Sequence, residues 1–594
     1  MWVLSLDEAI DRYLKLPRTL DCAQVYQKLQ SECVLTNWNL VDEDSTIIFI
    51  SHEWVGWNHP DPYGVQLRTA LRVLQRLRDG EIKSVVVDPK AEIFHHCKYN
   101  KTRKEWMREL KNAYIWFDWI CMPQPMASNK EKLNDRQKKM LEKNGRNAVM
   151  SISAYVERCD FLLITAPGMF FCFFLFFHVL YPLISSLLFT LPLPTITTAC
   201  EHADRIDTRT KRKAHTCFRT WRRRGWCVLE FFAAVLSRDQ AAPVLLVTQA
   251  ETTPYWLAPH EVGRLCCGNS DFTCCQTNHF IRGKKVNCDR PILRGILSQL
   301  LDKKIKEYLM MDEYVEARMA TAMSSFLLRG LPKDRYINTI LSGEEGTTED
   351  EEDDVDKNKK EVEKYDKNPV LNDLKRKLYW NMKRSGSQIF KRIASVFKRS
   401  CKDDMIDEES SLSLLMFAVM FDDLDAVRAV LNKIKKIPSE RRRHKILNCR
   451  TTSKSARGYL TLPSYGLTAL HIAMFMSSTD VVHTLLDYGV DTMSLNEHGE
   501  NSFTLSCQFG RIENMELWLK RFPEHNLHQR NKVTGGFSMS AAVSVIADKI
   551  DTFEFLLKHD ADLDQKLDMG LSVCYRSLSL SPFTQTTLII CKNT

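Results

Sequence analysis

Three short segments concentrate the residue types that do chemistry. Ser51-His-Glu-Trp-Val-Gly-Trp57 follows one apolar run, Trp116-Phe-Asp-Trp-Ile-Cys-Met-Pro-Gln124 closes another, and Arg224-Gly-Trp-Cys-Val-Leu-Glu230 opens a helical pattern. In parallel sheets ligands gather at the carboxyl ends of the strands. If the three segments converge, their cleft holds Trp54, Asp118, Gln124 and Glu230. Aromatic walls with a few polar groups suit a planar ligand. A Cys/His hydrolase built from Cys121 or Cys227 with His52 lacks any nucleophile motif. No glycine-rich phosphate-binding motif follows a strand.

The elements that must position these residues alternate between 45 and 250. Thr46-Ile-Ile-Phe-Ile50, Ser84-Val-Val-Val-Asp88, Ala113-Tyr-Ile-Trp-Phe-Asp118, Phe161-Leu-Leu-Ile-Thr165 and Pro243-Val-Leu-Leu-Val-Thr248 read as short apolar strands. Leu67, Ala70, Leu71, Leu74 and Leu77 share one face of a helix, and Trp226 to Leu236 reads as another. Strands of this kind separated by helices predict a parallel sheet covered on both faces, a three-layer α/β domain. Before it, residues 1–44 read as a helical segment, with Leu4, Ala9, Ile10, Tyr13 and Leu14 at helical spacing. After it, residues 251–341 read as a mostly helical extension. That extension carries Cys266, Cys267, Cys274, Cys275, His279 and Cys288, and adjacent cysteines are poor zinc-ligand spacing. The expectation there is ordinary reduced thiols and no metal.

One run interrupts the domain. Residues 169–193 contain no charged side chain and are long enough to cross a bilayer, but Pro182, Pro192 and Pro194 fit a helix poorly. Three readings of the 169–199 insert stay open: a membrane segment, a buried or loop insert, and translated intron sequence. The chain is therefore expected to be cytoplasmic, or at a membrane if the run is a genuine span.

The totals agree with a multidomain globular protein: 594 residues, 44% hydrophobic and 26% charged. A net charge of +9 over this length is too diffuse to point to nucleic acid. The 19 cysteines show no small-domain disulfide spacing and read as intracellular thiols. The opening Met1-Trp-Val-Leu-Ser-Leu-Asp-Glu lacks a basic region and is not expected to be a secretory signal. Residues 342–370 hold 12 acidic groups and 5 Lys with few large apolar residues, so a disordered linker is expected. Residues 371–403 carry ten Lys and Arg interleaved with Leu374, Leu378, Ile389, Phe390, Ile393, Val396 and Phe397. That basic amphipathic helix could bind calmodulin or an acidic membrane, or simply be a solvated helix neutralised by the linker.

Residues 410–569 repeat. Tyr465-Gly-Leu-Thr-Ala-Leu-His-Ile-Ala473, completed by Leu485-Leu486, resembles the ankyrin repeat signature, with Leu470, His471, Leu485 and Leu486 as its mainly structural core. Degenerate units surround it: Leu415, Ala418 and Val430-Leu431 before; Gly499, Ser506 and Trp518-Leu519 after; then Gly536 with Leu556-Leu557. Each such unit is a helix pair that buries its apolar face only against its neighbours, so an all-α ankyrin solenoid of four units is expected to bind a protein partner. The insertion containing Ser439-Glu-Arg-Arg-Arg443 reads as a basic loop, and residues 570–594 as an irregular tail.

The N-terminal motifs carry a second resemblance. Ile48-Phe-Ile-Ser51 and Gly225-Trp-Cys-Val-Leu-Glu230 resemble the opening strand and the W-C-x-x-E helix start of Toll/interleukin-receptor (TIR) domains. Ser51-His-Glu-Trp-Val-Gly56 and the Trp116 to Gln124 segment resemble the motifs of fungal heterokaryon-incompatibility (HET) domains. The resemblance spans about residues 45–250 and implies a flavodoxin-like sheet and self-association in signalling. Some TIR domains cleave NAD, which makes Glu230 the candidate catalytic residue, NAD the candidate substrate, and Ser51, Trp54, Asp118, Gln124 and Trp226 candidate substrate-binding residues. The loop after the first strand differs from TIR domains, and a glutamate in a first helical turn also complements the helix dipole. No cofactor is implied. The whole layout resembles ankyrin-repeat proteins of algae and other protists.

Overall fold

The computed structural model describes residues 1–15, 23–55, 59–87, 100–125, 134–167, 201–206, 213–238, 241–258, 265–276, 278–281, 284–332, 405–407, 410–452, 462–529 and 550–562. The 169–199 insert, the 342–370 and 371–403 segments, the start of the fourth repeat at Gly536 and the 570–594 tail lie outside them. Among the described residues no helix is long and apolar enough to cross a membrane. The chain divides into two compact units, which meet in sequence at Leu300 and Leu301.

The first unit is built on a mixed sheet of seven strands: β1 (Trp2–Ser5), β2 (Thr36–Asn37), β3 (Thr46–His52), β4 (Ala113–Trp116), β5 (Phe161–Thr165), β6 (Val244–Val247) and β7 (Tyr255–Leu257). Their spatial order is β7-β6-β5-β3-β4-β1-β2. The central four strands, β6, β5, β3 and β4, are parallel, while β1, β2 and β7 add antiparallel at the edges. Every residue of β3 and β5 is buried, as their unbroken apolar runs require of strands covered on both faces. Between β3 and β5 the chain reverses its direction of travel across the sheet, the point at which ligands of such sheets commonly bind.

Helix α1 (Val65–Arg78) packs against β5 and β6. Helices α3 (Ile152–Glu157) and α4 (Gly225–Leu236) pack on each other, and α4 lies against β3 and β5. Between β4 and α3, Asp118–Cys121 forms the one-turn helix α2. Side chains alternate along β3. Phe49 stacks on Trp116 at 4.3 Å, Trp116 meets Tyr155 of α3, and Ser51, two residues on, faces α4.

Several expectations are corrected. Trp2–Ser5 is a sheet strand rather than the start of a helix, and the helical pattern begins only at Leu6, capped by the Ser5 hydroxyl. Ser84–Val86 is not a strand of the large sheet. It pairs with Asn100–Thr102 in a separate two-stranded sheet, and the Val87–Trp256 bridge links it to the edge of the large one. Tyr255–Leu257, expected within a helical extension, is the antiparallel edge strand.

In the second unit, three helix pairs follow one another: α5 (Leu414–Met420) with α6 (Leu424–Lys435), α7 (Ala469–Met476) with α8 (Thr479–Asp487), and α9 (Ser502–Phe509) with α10 (Ile512–Arg521). The first helices pack in the order α5, α7, α9, and the second helices in the order α6, α8, α10. Ser413, Thr468 and Asn501 cap the first helix of each pair, accepting a backbone N–H three residues on. Between pairs, the buried Asn514 amide donates to the carbonyls of Met474 and Ser477, and the Ser477 hydroxyl donates to that of Val419. Gly466 adopts φ +71°, and a Cβ there would come within 3.0 Å of the Glu497 nitrogen in the next pair's turn. Tyr314–Leu327, from the segment expected as an extension of the first domain, packs on α5. The basic insertion is not a loop. Glu440–Leu447 is a helix capped by the Ser439 hydroxyl.

Candidate functional site

Four of the sequence candidates meet at the carboxyl ends of β3 and β4. The Ser51 hydroxyl donates to Glu230 Oε2 at 2.5 Å, joining the end of β3 to the second turn of α4. Trp221, buried just before α4, donates its indole N–H to the same hydroxyl at 3.0 Å. Beside them, the Trp54 indole donates to Asp118 Oδ2 at 2.7 Å, and His52 Nε2 lies 3.4 Å from Asp118 Oδ1. The His52 ring stacks on Phe117 at 4.1 Å, which fixes its plane.

The electrostatics follow from this packing. Glu230 keeps partial solvent access as a residue, yet burial of its carboxyl pushes the pKa up to about 8. The Ser51 hydrogen bond opposes that rise, and the negative charge of Asp118 adds to it. At neutral pH Glu230 therefore holds its proton beside a second carboxyl group. A carboxyl pair in unlike environments, with a hydroxyl on one member and a tryptophan on the other, can donate and accept protons around a bound polar group.

The other two candidates are hydrogen-bonded within the protein. Gln124 is buried; its side-chain amide donates to the Asp118 backbone carbonyl, and its backbone carbonyl accepts from the Gln27 side chain. It ties down α2 and so holds Asp118 in place. Trp226 points its indole N–H at Asp289 Oδ2, 3.1 Å away, and so anchors the start of α4. The cysteine alternative loses its geometry. Cys227 donates to the backbone carbonyl of His52, not to its ring, and burial pushes its thiol well above the usual range. Burial also pushes Cys121 up to about 12, far from a thiolate at neutral pH.

Sequence reasoning missed Trp221, although its place just before the α4 start fits the strand-end argument. It also missed the Glu53–Gln66 pair. The Glu53 N–H donates to the Gln66 side chain and the Glu53 carbonyl accepts from it, joining the loop after β3 to α1. Alternation along the sequence gives no sign of a buried glutamine facing a backbone turn.

In the second unit, Leu470, His471, Leu485 and Leu486 are buried. His471 Nδ1 accepts from the Thr468 N–H, and its other ring nitrogen, Nε2, donates to the Glu500 carbonyl. Burial drives its pKa down to about 4. These residues hold the repeat together, and the apolar side chains left at its turns are Tyr465, Met493 and Leu495, with Met493 75% exposed.

No curated protein matches the chain. Residues 465–497 match the ankyrin repeat family, whose repeats mediate contacts between proteins.

Proposed function

We propose that the protein is a signalling or sensing adaptor in which an ankyrin solenoid holds a protein partner and a TIR/HET-like α/β unit associates with its own kind. The observation that carries the first half is the matched repeat at 465–497, set between two further helix pairs. Its partner surface is the row of turns. The Glu497 N–H donates to the Tyr465 carbonyl, and Arg450 donates to the Leu495 carbonyl, so Tyr465, Met493 and Leu495 share one edge. An exposed apolar cluster with a basic neighbour fits a partner with an apolar anchor and an acidic rim. The double variant Tyr465→Asp, Met493→Asp changes only exposed positions. It is expected to weaken capture of the partner that the parent chain retains from lysate by about tenfold or more, with unchanged melting. Undiminished retention would refute this surface. The TIR/HET-like half is supported by the reversal of strand order between β3 and β5 and by the hydrogen bond that joins the two motif segments, Ser51 to Glu230.

The Ser51–Glu230–Asp118 cluster favours a second reading, cleavage of NAD. Water would add to the ribose C1′ as the bond to nicotinamide breaks, giving nicotinamide, ADP-ribose and a proton. In this role ionised Glu230 would engage the ribose hydroxyls and face the positive charge developing on the sugar, with Trp54 against a planar ring. The intact chain incubated with NAD should release nicotinamide faster as pH rises toward about 8, and Glu230→Gln should stop it. No release from self-associated protein removes this reading and leaves the adaptor.

A further inference from the structure

Three thiols in the first unit lie together although their spacing in the chain argues against it. Cys274 and Cys275 sit in the short helix Thr273–Gln276, and Cys288 follows the hairpin Phe280–Ile281/Lys284–Lys285. The hairpin brings Cys288 back, so that the three Sγ atoms all lie within 4.8 Å of one another. Cys275 and Cys288 are 3.7 Å apart and Cys274 and Cys275 are 4.0 Å apart, well beyond a disulfide bond of about 2.05 Å. Sulfurs around one tetrahedral ion at about 2.3 Å are separated by somewhat under 4 Å, so the observed triangle needs only a slight contraction.

A backbone donor already addresses one of the sulfurs. The Asp289 N–H donates to Cys274 Sγ at 3.4 Å, the kind of outer bond that orients a metal-bound sulfur. Asn278 and His279 both adopt positive φ, 51° and 63°, and the His279 N–H closes the turn on the Cys274 carbonyl at 2.7 Å. That turn leaves His279 Nδ1 buried without a hydrogen-bond partner. The His279 ring nitrogens lie outside the cluster of ligand atoms that the three sulfurs form.

We propose that Cys274, Cys275 and Cys288 bind a thiophilic divalent cation, with zinc the matching chemistry and water completing the tetrahedron. Binding releases the three thiol protons to solvent. The burial that raises Cys274 and Cys288 acts only on the ion-free thiols, because a coordinating thiol is deprotonated by the cation itself. The site also has a mechanical consequence. Asp289 bonds both Cys274 and Trp226, so an ion here fixes the segment that holds the first turn of α4. Arg224 reinforces the same junction through Thr273, and Phe272 covers Gly225 so closely that a Cβ there would meet its ring at 2.4 Å.

The test uses the full chain, reduced and stripped with a chelator, then titrated with Co(II). The expected result is one equivalent bound, with intense thiolate-to-cobalt charge-transfer absorption and tetrahedral d–d bands, both displaced by Zn(II). Cys275→Ser and Cys288→Ser should each reduce affinity at least a hundredfold, while Cys266→Ser, outside the triangle, binds as the parent does. Circular dichroism of each variant checks that the fold persists. Absence of stoichiometric cobalt binding, together with a Cys275–Cys288 disulfide in the mass spectrum of the unreduced protein, would overturn the site.

Discussion

Glu230→Gln should abolish most of the stability loss that the first unit undergoes as pH rises from about 5 to about 9. The folded carboxyl titrates at about 8, above the value of 4.5 for an unburied glutamate, first because it is buried and then because Asp118 is near. Between those two pH values the folded state keeps a proton that the unfolded chain has released. Stability is therefore whole below about 4.5, declines as pH rises, and levels off above about 8. At 1.36 kcal/mol per unit, the full loss is roughly 3 to 5 kcal/mol. Glutamine mimics the protonated side chain, keeps an oxygen for the Ser51 hydroxyl and has nothing to ionise. The variant should thus match the parent near pH 5 and be clearly more stable at pH 9. Ten of the twelve tryptophans precede Leu300, so urea unfolding followed by tryptophan fluorescence reports mainly this unit. Equal pH slopes in parent and variant would show that the carboxyl does not titrate in the buried setting.

The same residue shows what the sequence could and could not disclose. Ser51, Asp118 and Glu230 were legible together because strands buried on both faces are written as apolar runs, and polar residues that end such runs must gather at one edge of the sheet. Trp226 was legible as a neighbour of Glu230 but not in its role, since its partner Asp289 is remote in sequence. Ser84–Val86 looked like any other short apolar strand. A run of valines specifies an extended backbone but not the sheet it joins, and only the pairing with Asn100–Thr102 places it elsewhere. Trp2–Ser5 was absorbed into the helical pattern that follows, because four residues are too few to separate a period of two from one of 3.6. The helix at Glu440–Leu447 carries no apolar stripe, since Ile446 is its only buried residue, and its one signal in the sequence is the capping serine at 439. The cysteine triangle escaped because ligand spacing was judged along the chain, whereas a hairpin sets the distance in space.

Acid should loosen the matched repeat through His471. Burial lowers this imidazole from 6.5 to about 4, and the bond to the Glu500 carbonyl only partly offsets it. Below pH 6.5 the unfolded chain takes up a proton that the folded repeat refuses, so stability is whole above about 6.5 and falls as pH drops toward 4. The loss over that window is about 3 kcal/mol. The proton has no good site in the fold. Nδ1 already accepts from the Thr468 N–H that begins α7, so a second ring proton would face that donor and break the cap. His471→Asn can keep the acceptor toward Thr468 while giving up the bond to Glu500. It should cost about 1 to 2 kcal/mol at pH 7.5 but flatten the acid slope. Hydrogen exchange across 469–476, corrected for the intrinsic pH dependence, measures both effects. A parent slope no steeper than that of His471→Asn would place the proton uptake elsewhere, with His525, also lowered by burial, the next group to test. If the slope is lost as expected, a drop in partner binding at mildly acid pH follows from a loosened repeat rather than from a titrating contact, because His471 is buried and the exposed turn at Tyr465 and Met493 has no group that ionises between pH 4 and 6.5 on those two side chains.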